Sequence, residues 1–348
     1  MRKIKVDYII VGQGLAGSWL AFEMLSRDLS VAIFDEDKLE TSSKKAAGIY
    51  NPITGRQMVK TWRADEFFSK LEINYSLLEK KLGSRFLHPI PIYRPFKTIE
   101  DQNDWEGKAA DEIFLSYLKE FRTSSIGYHE IHDPLGGIVL NKSGYVDIPT
   151  MLMAMKAFLM NKGIYRAEVF NYDKIELKPK SVTYDNLEAK KIIFCEGSLP
   201  KNPFWDLPFR PVRGEIIDIE IDGLDAKHII NQGVFMIPKN DRFTVGSTYD
   251  HNNLTFEPQE SGIKSLEDRL KKLFAGEYRI IEKRAGVRPA THDRKPYIGL
   301  HSVYKTLGIF NGFGTKGVSL TPHFAKHFID VLQGKSELDE EVNVQRAI

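Results

Sequence analysis

A glycine-punctuated turn between a buried strand and a helix constrains this chain more than any other feature. Val6-Asp7-Tyr8-Ile9-Ile10-Val11 is short, apolar and rich in β-branched residues, the pattern of a strand buried on both faces. Gly12-Gln13-Gly14-Leu15-Ala16-Gly17 follows at once, and Leu15, Trp19, Leu20 and Met24 then recur at helical spacing as far as Arg27. Val31-Ala32-Ile33-Phe34 is a second buried strand, ending at Asp35. In such a β-α-β unit Gly12 permits a tight turn, Gly14 lets backbone approach a pyrophosphate, and Gly17 lets the helix pack on the strand. The helix N-terminus offers free N–H groups and partial positive charge to phosphates. Asp35 stands where a carboxylate accepts hydrogen bonds from ribose hydroxyls, which argues for FAD or NAD over NADP. A purely structural strand-turn-helix is the alternative, and the agreement of strand, glycines, helix and acid speaks against it. Periodicity does not separate FAD from NAD.

Further along, Ser42 to Thr54 reads as loop and Met58 to Leu82 as one long helix. Pro89, Pro91 and Pro95, with Tyr93 and Phe96, suit strands and turns. A helix is predicted from Pro149 to Lys162, a β-rich stretch from Tyr165 to Phe194, and antiparallel strands from Arg210 to Tyr249. The chain closes with a strand at Leu307-Gly308-Ile309-Phe310, a glycine-rich turn, and a helix over Thr321–Leu332 with Thr321 as N-cap and Pro322 at the first helical position. The last dozen residues, polar and acidic, are expected to fray. At 348 residues the length prior is two domains. With no linker or repeat in sight, they are expected to interleave.

Composition removes several classes. Lys plus Arg is 49 and Asp plus Glu 47, a net charge of +2, so nothing calls for nucleic acid or an anionic membrane as partner. The one cysteine, Cys195, allows no intramolecular disulfide and no multi-cysteine metal site, and its Ile-Ile-Phe-Cys setting suits a buried structural thiol. No metal is expected: His323 and His327 share a helix face, but Phe324 stands where H-E-x-x-H needs glutamate. The first residues lack a signal-peptide pattern, and no apolar run of about 18 residues occurs, so a soluble cytoplasmic protein without a membrane span is expected.

The motifs as a set resemble the D-amino-acid oxidase, glycine oxidase and sarcosine oxidase (DAO) family. Asp7 to Asp35 is similar to its opening, and Ser42-Ser43 with Ala46-Ala47-Gly48 to its next segment. Gly144-Tyr145-Val146-Asp147 resembles its "G-x-V-D", and Ile192 to Gly197 its second nucleotide-contacting strand. Pro211-Val212-Arg213-Gly214-Glu215 resembles "P-x-R-G-Q/E", and Gly246-Ser247-Thr248 "G-S-T". Gly286 to Gly299 resembles "G-L-R-P-x-T-x-D-x-x-P-x-I-G", and Asn311 to Gly317 the final flavin loop. Asp28, where the family usually has glycine, and Gln13 depart from the pattern. The resemblance implies an α/β fold in which a Rossmann-like FAD-binding domain (1–80, 145–205 and 285–348) interleaves with an α+β substrate domain (81–144 and 206–284) on a mixed or antiparallel sheet. It implies non-covalent FAD contacted by Gly12, Gly14, Leu15, Ala16, Gly17, Asp35, Glu36, Ser42, Ser43, Ala47, Gly48, Val169, Gly197, Gly312, Phe313, Gly314, Thr315, Lys316 and Gly317.

It also implies a chemistry: hydride passes from a substrate Cα to flavin N5, and water hydrolyses the resulting imine. The flavin carries that chemistry and the protein orients it. Arg288, in "G-V-R-P", is the candidate for the substrate carboxylate, because a guanidinium fork suits bidentate binding; a structural ion pair is its other reading. Lys316 is a candidate for charge beside the flavin, or a solvated loop lysine. Tyr50, Arg56, Arg63, Arg213, Tyr249 and His292 are candidates for the substrate pocket, each with a structural alternative. The expected function is FAD-dependent oxidation of the C–N bond of a small amino acid or secondary amine. Three others stand beside it: flavin-dependent processing of a tRNA wobble-uridine side chain, an NAD-dependent dehydrogenase, and a non-catalytic FAD-binding protein.

Overall fold

The fold is given by a computed structural model that describes residues 3–55, 57–198 and 202–348. The opening strand forms over Ile4–Val11, the first helix over Leu15–Leu25 and the second strand over Val31–Asp35. They belong to an eight-stranded sheet. Five of its strands run parallel in the order Tyr165–Ala167, Val31–Asp35, Ile4–Val11, Leu187–Phe194, Leu307–Asn311. Alternation along these strands sends Tyr8, Ile10, Ile33 and Ile193 to one face and Ile9, Val11, Ala32, Phe34, Ile192 and Phe194 to the other. The first face is covered by the first helix, by Ile148–Asn161 and by the last helix, Gly317–Leu332.

A second eight-stranded sheet takes its strands from other stretches. Its order is Arg279–Arg288, Val212–Glu220, Arg242–Gly246, Val234–Lys239, Ile229–Gln232, Ile92–Pro95, Gly137–Leu140, Leu118–Arg122. All pairings are antiparallel except that of Ile229–Gln232 with Ile92–Pro95. One face is sealed by Ile217, Ile219, Met236 and Val245 packing under the helix Glu260–Leu270. Asp28 adopts a left-handed φ of 59°, so this aspartate takes the conformation that glycine usually supplies at the turn.

Four expectations need correction. The stretch from Ser42 to Thr54 is not all loop: it holds a helical turn over Ser42–Lys45, capped by Thr41, and short strands at Ile49–Tyr50 and Ile53–Thr54. The helix foreseen over 58–82 is broken into Ala64–Phe68 and Leu71–Leu82, preceded by the strand Val59–Lys60. Arg63 is left-handed at φ 50°, ion-paired with Glu66 and Asp339, with its guanidinium 5.4 Å from the Trp62 ring. Those tertiary contacts override local helical preference.

The last helix begins at Gly317, so Thr321 and Pro322 lie inside it. Proline has no N–H for the carbonyl four residues back. Here the buried Tyr75 hydroxyl donates to that carbonyl, Val318 O, at 3.0 Å. The acidic tail is docked, not frayed. Val342 and Val344 are fully buried, Ile298 N donates to Val342 O at 2.9 Å, and Arg346 pairs with Asp293 at 3.1 Å.

Tyr75→Phe leaves the Val318 carbonyl without a partner in an apolar surround. The expected cost is about 1–3 kcal/mol of unfolding free energy, read from the urea midpoint of the cofactor-loaded protein. An unchanged midpoint would show that the hydroxyl does not support the helix across Pro322.

Candidate functional site

Parallel strands all end at one edge of a sheet, and open α/β sheets place their ligands there. In this chain that edge gathers Gly12 after Val11, Asp35 and Glu36 after Phe34, Val169 beyond Ala167, Gly197 beyond Phe194, and Gly312 to Gly317 after Asn311. Segments far apart in sequence therefore meet along one line.

The opening turn has no room for side chains. Gly12 has φ 97°, and a Cβ on it would fall 2.5 Å from Cys195 O. A Cβ on Gly17 would fall 1.9 Å from Gly12 O. Asp35 accepts from Gln13 N at 2.6 Å and from Asp37 N at 2.8 Å, which aims its carboxylate at the glycine turn. Gln13 donates its amide to Ser18 Oγ at 3.0 Å and Leu152 O at 3.2 Å, pinning the turn to the helix Ile148–Asn161. Ser43 Oγ accepts from Leu15 N at 3.1 Å and lies against Gly14. Leu15 and Ala16 are half-buried at the helix start, and Glu36 is half-buried beside Lys38. Val169 is 66% exposed. Burial pushes the Cys195 thiol well up, as suits an inert packing residue.

The final loop reaches the same edge. Asn311 donates to Gly197 O at 2.9 Å and accepts from Gly312 N at 2.7 Å. Gly312 has φ 85° and presses on Thr291; Gly314 N donates to Pro289 O at 3.1 Å. Phe313 is buried, Thr315 exposed and Lys316 half-buried. A Cβ on Gly317 would fall 3.1 Å from Leu15, so the starts of the first and last helices abut. Two helices thus aim their positive ends at one place. Burial, then the neighbouring Arg294, pulls the Lys316 ammonium below its ordinary value. Tight glycine turns, an acid at the second strand end and converging helix starts fit a dinucleotide.

The two sheets meet through the turn Ser42–Lys45. Ser42 Oγ donates to Val287 O, and Gly286 faces Ser42 and Lys45. Ala47 is buried, and Gly48, at φ 78°, packs where a Cβ would meet Val146 O. Two residues beyond Gly286, Arg288 lies over Gly214, whose absent side chain makes the space: a Cβ there would be 2.6 Å from Arg288 Cζ. Arg288 Nη1 donates to Thr248 O at 3.3 Å, and its Cζ stands 5.0 Å from the centre of the Tyr249 ring. Arg288 is half-buried and makes no ion pair among the described residues. Burial pulls its guanidinium below the usual value, with Tyr249 and Glu215 acting the other way.

The other pocket candidates separate. Tyr249 is 67% exposed beside Arg288. Tyr50 is 2% exposed and donates to Glu72 Oε1 at 3.0 Å, so it is a packing residue under Gly144 and not a pocket wall. Arg213 is also 2% exposed, held by Glu215 at 2.6 Å and Asp250 at 3.3 Å, so its charge is engaged inside the protein. Arg63 is likewise engaged, His292 is exposed, and Arg56 lies outside the described residues. His323 faces Glu66 at 3.2 Å, and His327 accepts from Asp339 N at 3.1 Å. Gln13, Thr248 and Asn311 had no role assigned from sequence, although each sits inside a motif that was read, and Ser43, expected at the cofactor, bonds Leu15 N.

A family model described as FAD dependent oxidoreductase (DAO) matches residues 7–331. Glycine oxidase of Bacillus licheniformis is 22% identical over 371 aligned positions, covering 100% of this chain and 98% of that protein. The crystal structure of glycine oxidase from Geobacillus kaustophilus superposes with a TM-score of 0.78 at 19% identity, covering 99% of both chains. The bifunctional tRNA 5-methylaminomethyl-2-thiouridine biosynthesis protein of Legionella pneumophila (strain Corby) is 23% identical over 84% of this chain, which spans 45% of that longer protein.

Gly17→Ala places a methyl group against the Gly12 carbonyl and pushes the first helix off the strand. The purified variant is expected to be colourless, or to bleach on gel filtration. A variant that keeps a wild-type ratio of flavin to protein absorbance would overturn this account of the turn.

Proposed function

The chain belongs to the FAD dependent oxidoreductase (DAO) family, and from that premise we propose that it oxidises the C–N bond of a small amino acid or secondary amine whose carboxylate is held by Arg288. The observation that carries this reading is Arg288 itself. It is a half-buried cation without an ion-pair partner among the described residues, seated over Gly214 on the sheet face that meets Ser42–Lys45. A guanidinium desolvated to that degree and left unpaired is costly unless an anion completes it. Its two terminal nitrogens match a carboxylate in fork geometry.

Bound FAD supplies the two-electron acceptor. Gly12, Gly14 and Gly17 would make room for its pyrophosphate, Asp35 would take ribose hydroxyls, and the 312–317 loop with Ala47 and Gly48 would line its ring end. The start of the last helix and Lys316 would hold positive potential at that end, where negative charge develops during reaction. Arg288 fixes the substrate carboxylate, and Tyr249 flanks the guanidinium. An amine that arrives neutral needs no dedicated base. The Cα loses a hydride equivalent and the nitrogen a proton, and water then adds to the imine to release carbonyl product and amine.

The test is anaerobic mixing of the yellow protein with glycine, sarcosine, proline and a set of D-amino acids, following flavin absorbance. One or more should bleach it. Arg288→Ala should keep FAD while lowering kcat/KM for reduction about 100-fold or more, the loss of two charge-assisted hydrogen bonds. Reduction that is unchanged in Arg288→Ala, or a wild-type flavin that no amine reduces, would sink the proposal.

A further inference from the structure

Register across the second sheet fixes which side chains share a face with Arg288. One row runs Ile216, Gly246, Phe235, Asn231, and the parallel pairs Ile229–Ile92 and Ile230–Tyr93 bring Arg94 to its end. On the opposite face the neighbours of this row, Ile217, Val245, Val234, Met236, Ile230 and Tyr93, are all sealed in core. On the Arg288 face Ile216 and Gly246 are buried, while Phe235, Asn231 and Arg94 are half-buried. The Phe235 ring lies over Gly246, where a Cβ would meet Phe235 Cζ at 2.7 Å, so the row has an apolar centre and a polar far end.

That far end is short of acceptors. Arg94 donates to Ile53 O and to Gly55 O, each at 3.2 Å, in the hairpin that follows Gly48. Those bonds use two of the five N–H donors of a guanidinium. No carboxylate ion-pairs with Arg94 among the described residues; Asp101 is felt only at longer range. Burial draws the guanidinium down to about 10, so it still carries its charge at neutral pH. Beside it, the Asn231 amide has no hydrogen-bond partner among the described residues. A cation and a neutral donor thus sit together on the face that holds Arg288.

We propose that Arg94 and Asn231 form a distal subsite for a second carboxylate of the substrate, with Arg94 as counter-ion and Asn231 as neutral donor. The inference rests on the assignment of Arg288 to the carboxylate beside the reacting carbon. Four strand spacings of about 4.8 Å separate the strand beneath Arg288 from that of Arg94. Glycine cannot span such a row. An elongated dicarboxylic amino acid or amine can, its apolar middle crossing Phe235.

The test titrates the FAD-loaded protein with unreactive acids and reads the perturbation of flavin absorbance. Suberate, sebacate and dodecanedioate are compared with octanoate, decanoate and dodecanoate. The best diacid should bind about tenfold more tightly than the monoacid of equal length, the size of one charge-assisted contact. Arg94→Met should erase that difference and leave monoacid affinity unchanged. Asn231→Asp, which leaves the hairpin contacts of Arg94 intact, should erase it as well and serves if Arg94→Met does not fold. Equal affinity for diacids and monoacids, no binding of either, or a preference that survives both substitutions would overturn the subsite. Failure of the Arg288 assignment reads differently: monoacid binding would then be unaltered in Arg288→Ala.

Discussion

The rest of the molecule depends on the approach of the Gly17 Cα to the Gly12 carbonyl. There is no space for a methyl group between them. Because the first helix starts this close to its strand, its N-terminus stands at the sheet edge and not beyond it. The last helix starts against it, Gly317 on Leu15, and inherits the same placement. Two sets of unpaired backbone donors then face one groove. Gly12, Gly17 and Gly312 are fixed there by contact distances, and Gly12, Gly197, Gly312 and Gly314 by positive φ.

The second sheet is positioned by a smaller device. A four-residue helical turn, Ser42–Lys45, leans on Gly286 and bonds Val287 O, and this locks the strand that carries Arg288 to the nucleotide half. Gly214 and Gly286 are paired across neighbouring strands, so the sheet is bare where Arg288 lies flat and where the turn docks. Glu215 and Arg213, on the neighbouring strand Val212–Glu220, point the other way and are bonded to Thr248 and Asp250. The paired strands thus present Arg288 on one side and the Arg213–Glu215 ion pair on the other.

Much of this was legible in the chain because the features were local. The glycine turn, the strand after it and the acid at Asp35 are read within a few dozen residues, and the structure builds them as read. What was illegible depended on partners far away in sequence. Tyr50 and Arg213 look like pocket residues until Glu72 and Asp250 arrive to bury them. Thr321-Pro322 has the signature of a helix start, and only Tyr75, from another helix, lets the helix begin earlier. The acidic tail concealed Val342 and Val344, whose spacing of two was the available signal. Arg94 lay in a plain strand pattern, and nothing local told its open face from its sealed one.

The docked tail has a bearing on when the protein becomes functional. Arg346 braces Asp293 and Lys295 O, in the turn whose Thr291 presses on Gly312, and Asn343 bridges to Ile298 beside the last parallel strand. The groove is thus framed by the earliest and the latest residues described. During synthesis the opening strand and glycine turn leave the ribosome long before the segments that complete the groove. The groove is therefore complete only once the 343–346 segment has docked against Ile298 and the 291–295 turn.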